Sequence, residues 1–79
     1  MHIEVETRNV DDRDTALGSA APFTLEVDGP EESRDGGLGF NGGQLLYLAV
    51  AECVSNDLFR DARAEGIELS RVRVKVSEE

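Results

Sequence analysis

A single thiol, a single imidazole and one glycine-rich run offer most of the chemistry open to this 79-residue chain. Cys53 follows sixteen residues, Gly36 to Ala51, that hold no charge, in a chain where charges are otherwise dense. A cysteine works as a nucleophile when its thiolate is favoured by a cation or a helix N-terminus. At helical spacing its neighbours are Ala49, Val50, Asn56 and Asp57, so the local sequence supplies a carboxylate rather than that cation. An activating charge has to come from elsewhere, and Arg34 in the preceding charged loop is the candidate. The bland alternatives are a small inert hydrophobe for Cys53 and a solvated charge for Arg34.

Gly37-Leu38-Gly39-Phe40-Asn41-Gly42 matches GxGxxG just ahead of a helix. A dinucleotide site also needs a strand running into the glycines and a βαβ unit. A charged loop precedes the glycines here, so the run reads as a flexible loop that lets the helix start pack closely. Its backbone N–H groups can still meet an anion. His2 lies on the polar side of a terminal segment and reads as exposed and inert. Glu52, at the border of the apolar run, reads as half of an interface ion pair. Asp57, Arg60, Asp61 and Arg63 form a wet helix end, with Asp57 and Arg60 spaced to pair at i,i+3. The chain holds no Ser/His/Asp set, P-loop or cysteine–histidine cluster, and neither a cofactor nor a metal is expected.

The element that positions Cys53 is a helix over residues 42–65. Asn41 is a favoured N-cap, and Gln44 three residues later completes a capping-box pair. Gly66 stands where a left-handed C′ residue belongs, with Ile67 able to cover Ala62. Leu45 to Ala51 is apolar on every helical face, and a helix apolar all round demands cover all round. Two or three strands from one small chain cannot provide it, so the helix predicts a dimer with a shared core. Alternation places strands at 2–8 (Ile3, Val5 and Thr7 on one face), 22–28 (Phe23, Leu25 and Val27 inward) and 71–77 (Val72, Val74 and Val76). Residues 9–21 read as a loop, and Asp28-Gly29-Pro30 as a turn.

The totals set outer limits. A chain this short buries only about 60% of the surface its unfolded form exposes, which again favours association. One cysteine excludes an intramolecular disulfide. Seventeen acidic against eight basic residues give a net charge of −9. Such a charge repels phosphate backbones and anionic membranes, so neither nucleic acid nor membrane is an expected partner. Ten of the acids precede Gly37, and seven of the eight bases are arginine, a balance that suits a high-salt cytoplasm. The N-terminus lacks the basic and apolar regions of a secretory signal, and the uncharged run is too short to span a bilayer. A cytoplasmic location is the expectation.

Taken together, Asn41-Gly42-Gly43-Gln44-Leu45-Leu46, the small and apolar run, Cys53, Asn56-Asp57-Leu58, Arg60-Asp61-Ala62 and Gly66-Ile67-Glu68-Leu69 resemble the OsmC/Ohr family. The resemblance covers about residues 37–77. It implies an α+β fold whose antiparallel strands flank one long central helix in an intertwined homodimer. It also implies stress-response reduction of organic hydroperoxides by a peroxidatic and a resolving cysteine, with an arginine and a glutamate near the first thiol. Cys53 falls at the peroxidatic position; without the second cysteine, turnover would draw on an external thiol. The family's glutamate near the helix start falls on Gly43, and its second, resolving cysteine has no counterpart. A non-catalytic dimeric binding or structural protein, or a truncated family copy without activity, are the alternatives.

Overall fold

In a computed structural model, residues 1–30 and 36–78 are described, as an α+β chain of three antiparallel strands and one long helix. By its internal contacts it divides into two compact units, Met1–Gln44 and Leu45–Glu79.

The first unit is a meander of β1 (Glu6–Asn9), β2 (Ala16–Ala20) and β3 (Phe23–Val27), in the order β1-β2-β3. Register runs from Glu6↔Ser19 to Asn9↔Ala16 and from Ala16↔Val27 to Ala20↔Phe23. Because side chains alternate across a sheet, this register gathers Thr7, Ala16, Gly18, Leu25, Val27 and Phe23 on one face. Glu6, Arg8, Leu17, Ser19, Thr24 and Glu26 take the other. The sequence assigns the faces of the first and third strands in the same way.

The two connections differ in how they are built. After β1, Val10 N–H donates to Thr15 O (2.8 Å) and Arg13 N–H to Val10 O (2.8 Å). Asp12 occupies the left-handed region at φ 56°, which a short polar side chain tolerates. The Asn9 amide donates to Val10 O and Arg13 O from outside the turn. Between β2 and β3 the link is only Ala21-Pro22, joined by a cis peptide bond.

Beyond β3 the chain returns to it. Asp28 N–H donates to Phe40 O at 2.8 Å, and Phe40 forms a parallel bridge with Val27. This covers the outer edge of β3 at one end.

In the second unit, α1 (Gly42–Ala64) begins in the first unit's last residues and runs about 34 Å at 1.5 Å per residue. The capping box is complete: Gln44 N–H donates to Asn41 Oδ1 (2.9 Å) and Asn41 N–H to Gln44 Oε1 (3.0 Å). The far end is a Schellman motif. Ile67 N–H donates to Ala62 O (2.8 Å), Gly66 N–H to Arg63 O (3.1 Å), and Gly66 has φ +71°. Arg60 bridges Asp57 at 3.2 Å, as the i,i+3 spacing predicts, and Asp61 at 3.3 Å.

After the Schellman turn the tail comes back along the helix. Tyr47, in the second helical turn, hydrogen-bonds Glu78, which fixes the tail's direction. Tyr47, Ala51, Ser55 and Phe59 are half-buried and Ala62 is buried, a stripe at spacings of four, four, four and three. Val72 and Val74 are half-buried as well.

Three expectations are corrected. Residues 71–77 form no strand, although Val72, Val74 and Val76 alternate as one, because no strand among the described residues pairs with them. The first strand starts at Glu6 rather than at residue 2, since β2 ends at Ala20, opposite Val5, and gives residues 2–4 nothing to pair with. The expected loop over 9–21 contains β2, whose Ala-Leu-Gly-Ser-Ala sequence has no β-branched residue. No helix among the described residues is long and apolar enough to cross a membrane.

Candidate functional site

The sequence directs attention to Cys53, and its surroundings follow from the helix geometry. Cys53 is exposed and makes no disulfide. At 3.6 residues per turn it falls about 180° from the middle of the half-buried stripe, on the side of α1 away from it. Leu46, Ala49 and Val50 border it toward the helix start, and all are exposed. Leu46 keeps 62% of its surface open, while Leu48, Val50, Val54 and Leu58 are also uncovered. The thiol therefore sits in an apolar strip that faces solvent in the single chain.

On the other side of Cys53 the helix turns polar. Asn56 and Asp57 follow at i+3 and i+4, and Arg60 lies two turns away. That guanidinium is already held between Asp57 and Asp61. Arg34, the candidate activating charge, lies outside the described residues. Glu52 is exposed, and among the described residues no ion pair holds it. His2 is exposed, as expected. Gly43 has room for a side chain: an added Cβ meets only the Asn41 Oδ1 atom, at 3.4 Å.

The glycine run forms a second feature. Gly37, Leu38, Gly39, Phe40 and Gln44 line an open hollow of about 350 Å³ within the first unit. Gly39 lies flat against β3. A Cβ there would stand 2.6 Å from Glu26 O and 2.9 Å from Glu26 C. Close packing is thus the work of this glycine, but it is the loop that packs against β3, not the helix start, where an added Cβ at Gly42 meets nothing within 4 Å. No group of three metal-binding side chains occurs among the described residues.

The segment is secured by Asp28, a residue that sequence reading takes for ordinary turn chemistry. Its carboxylate is 7% exposed and collects three donors from three parts of the unit. Oδ1 accepts from Gly29 N–H (2.7 Å), and Oδ2 from Leu38 N–H (3.1 Å) and the Thr15 hydroxyl (3.0 Å). Gly37 N–H donates to Gly29 O alongside (3.1 Å). The signal that might have found it is Asx-turn propensity in Asp28-Gly29, but its remote donors are a product of folding.

Burial pushes the Asp28 carboxyl up, yet the hydrogen bonds from Gly29, Leu38 and Thr15 and the charge of Arg13 outweigh it. The net pKa lies below the usual carboxylate value. Such a group stabilises the fold fully above its unfolded pKa, near ~3.9. That contribution is lost as pH falls through the lower folded-state value. The expected result is selective acid release of the 37–40 segment, seen as a fall of roughly tenfold or more in protection of the Leu38 amide relative to its intrinsic exchange rate below about pH 4. Asp28→Ala should show weak Leu38 protection at every pH. A Leu38 amide indifferent both to acid and to this substitution would remove Asp28 from the role.

The Glu78 carboxylate that accepts the Tyr47 hydroxyl hydrogen bond, with some burial, raises the phenol's pKa. Comparison with family models, with curated proteins and with solved structures finds no match to this chain.

Proposed function

We propose that this chain is an OsmC-like thiol protein that acts as a homodimer and reduces organic hydroperoxides through Cys53. The observation that carries the reading is the exposure of Cys53 within the apolar strip of Leu46, Ala49 and Val50. An organic hydroperoxide has an apolar body and a polar O–O head, and this strip offers an apolar surface beside a nucleophile.

In the step itself the Cys53 thiolate attacks one peroxide oxygen and the O–O bond breaks. The sulfur is oxidised to sulfenic acid, and the departing alkoxide takes a proton to leave as the alcohol. An external thiol then condenses with the sulfenic acid, releasing water. A second thiol reduces the mixed disulfide and returns Cys53. Exposure of the sulfur suits an external reductant, which must reach it directly.

Exposure to a millimolar organic hydroperoxide at neutral pH, followed by sulfenic-acid trapping and mass spectrometry, tests the reading. One adduct per chain, on Cys53, is expected, and Cys53→Ser should abolish both adduct and peroxide consumption. An unmodified Cys53 would eliminate the peroxidase.

A second reading, a non-catalytic dimeric binding protein, is favoured by one observation: Arg60 is engaged by two carboxylates instead of serving the thiol. Under that reading Cys53→Ser keeps every measurable property of the protein.

A further inference from the structure

β1 is the open edge of the sheet. Only β2 neighbours it among the described residues, and all four of its residues are exposed. The opposite edge differs, because Phe40 bridges Val27 and covers part of β3. An open edge presents N–H and C=O groups that template another strand. Proteins usually blunt such edges with proline, lysine or a bulge. Residues 5–9, Val-Glu-Thr-Arg-Asn, contain neither proline nor lysine, and β1 pairs with β2 without a bulge. What the edge does carry is one negative and one positive side chain, Glu6 and Arg8, on the same face.

We infer that this edge pairs with the β1 edge of a second copy, antiparallel about a two-fold axis through Thr7, forming one six-stranded sheet. Symmetry and charge select that register. A two-fold axis cannot sit between two residues. Adjacent antiparallel pairs alternate in hydrogen-bonding type, whereas symmetry would make those two identical. The axis therefore passes through a residue. Centred on Glu6 it offsets two Glu4–Arg8 pairs with Glu6 against the second copy's Glu6 at the axis, and centred on Arg8 it sets arginine against arginine. Centred on Val5 it opposes Glu4 and Glu6 twice. Centred on Thr7 it places Glu6 opposite the second copy's Arg8 and Arg8 opposite the second copy's Glu6.

The same register aligns Val5 with the second copy's Asn9, so the ladder has five pairs, an ordinary strand length. An axis normal to the sheet also puts both copies' apolar faces on one side. Phe23, Leu25 and Val27 of each copy then belong to one surface. This interface uses no residue of α1 and is separable from the helix-mediated dimer.

The single cysteine makes a clean test, because Cys53→Ser leaves a thiol-free chain. In that background Thr7→Cys should form an intermolecular disulfide in high yield under mild oxidation. Val5→Cys should not, since the two copies' residues 5 stand about 13 Å apart in this register, beyond the ~7 Å limit for a disulfide. Glu6→Arg alone should weaken Thr7→Cys cross-linking about tenfold, and Glu6→Arg with Arg8→Glu should restore it. Circular dichroism checks that each exposed substitution leaves the chain folded. Failure of Thr7→Cys to cross-link, equal cross-linking through Val5→Cys, or failure of the double swap to restore it would each overturn the pairing.

Discussion

Gly39→Ala is expected to detach residues 37–40 from β3 and to destabilise the chain by about 1–3 kcal/mol, the range for a side chain forced into filled space. The reason is where the added methyl would go. It meets Glu26 O at 2.6 Å, Glu26 C at 2.9 Å and Val27 N at 3.2 Å, all backbone atoms of a paired strand. A flexible side chain would swing away, but a strand held to β2 cannot without breaking its ladder. The segment must move instead, and the bonds from Asp28 N–H to Phe40 O and from Leu38 N–H to Asp28 move with it. Gly42→Ala is the matched control. Nothing lies within 4 Å of its added Cβ, and the position opens α1, where alanine outranks glycine by about 0.8–1 kcal/mol in a helix interior. Urea midpoints should therefore move in opposite directions for two glycines three residues apart. Equal shifts would mean that Gly39 is not confined as its distances imply.

That contrast also marks what could be read before folding. The helix was legible from end to end, because its caps are local: Asn41 with Gln44, and Gly66 with Ile67, settle their bonds within a few residues. The faces of the first and third strands were legible for the same reason, since alternation is a property of neighbours. β2 was not, because Ala-Leu-Gly-Ser-Ala carries no strand preference and is extended only by pairing on both sides. The valines at 72, 74 and 76 failed in the opposite direction, with a strong pattern and no partner. Asp28 shows the limit most sharply. Its importance lies in donors from Thr15 and Leu38, thirteen and ten residues away, and no spacing rule connects them. Cys53 stands out in the sequence by its rarity, but its exposure depends on the half-buried stripe lying on the far side of α1.

The remaining open apolar surface leads to the last expectation. In a Glu6→Arg background, which weakens pairing at the β1 edge, Leu46→Glu should dissociate the proposed helix-mediated homodimer while leaving the helix intact. Sedimentation velocity with circular dichroism reads both. In the single chain Leu46 is 62% exposed, so replacing it removes little of the chain's own packing. In a two-fold helix interface the substitution counts twice, once in each copy. Losing two buried leucines, each contributing roughly 1.5–3 kcal/mol, weakens association by a hundredfold or more even before the charges are considered. Glutamate is also a strong helix former, which protects α1 from an unrelated loss. The polar end of the same helical face gives the discriminating comparison. Arg60→Ala, on the polar side with Asp57 and Asp61, should leave the dimer alone, because exposed ion pairs contribute little. A wild-type chain that sediments as a monomer at high micromolar concentration would sink the shared helical core. So would a Leu46→Glu chain that, with the β1 edge blocked by Glu6→Arg, dimerises as tightly as its Leu46 parent. In the expected case the strip beside Cys53 is covered on one flank by the second copy's helix. The thiol then lies at the rim of an apolar seam, where an organic hydroperoxide can reach it from solvent and an external thiol can follow.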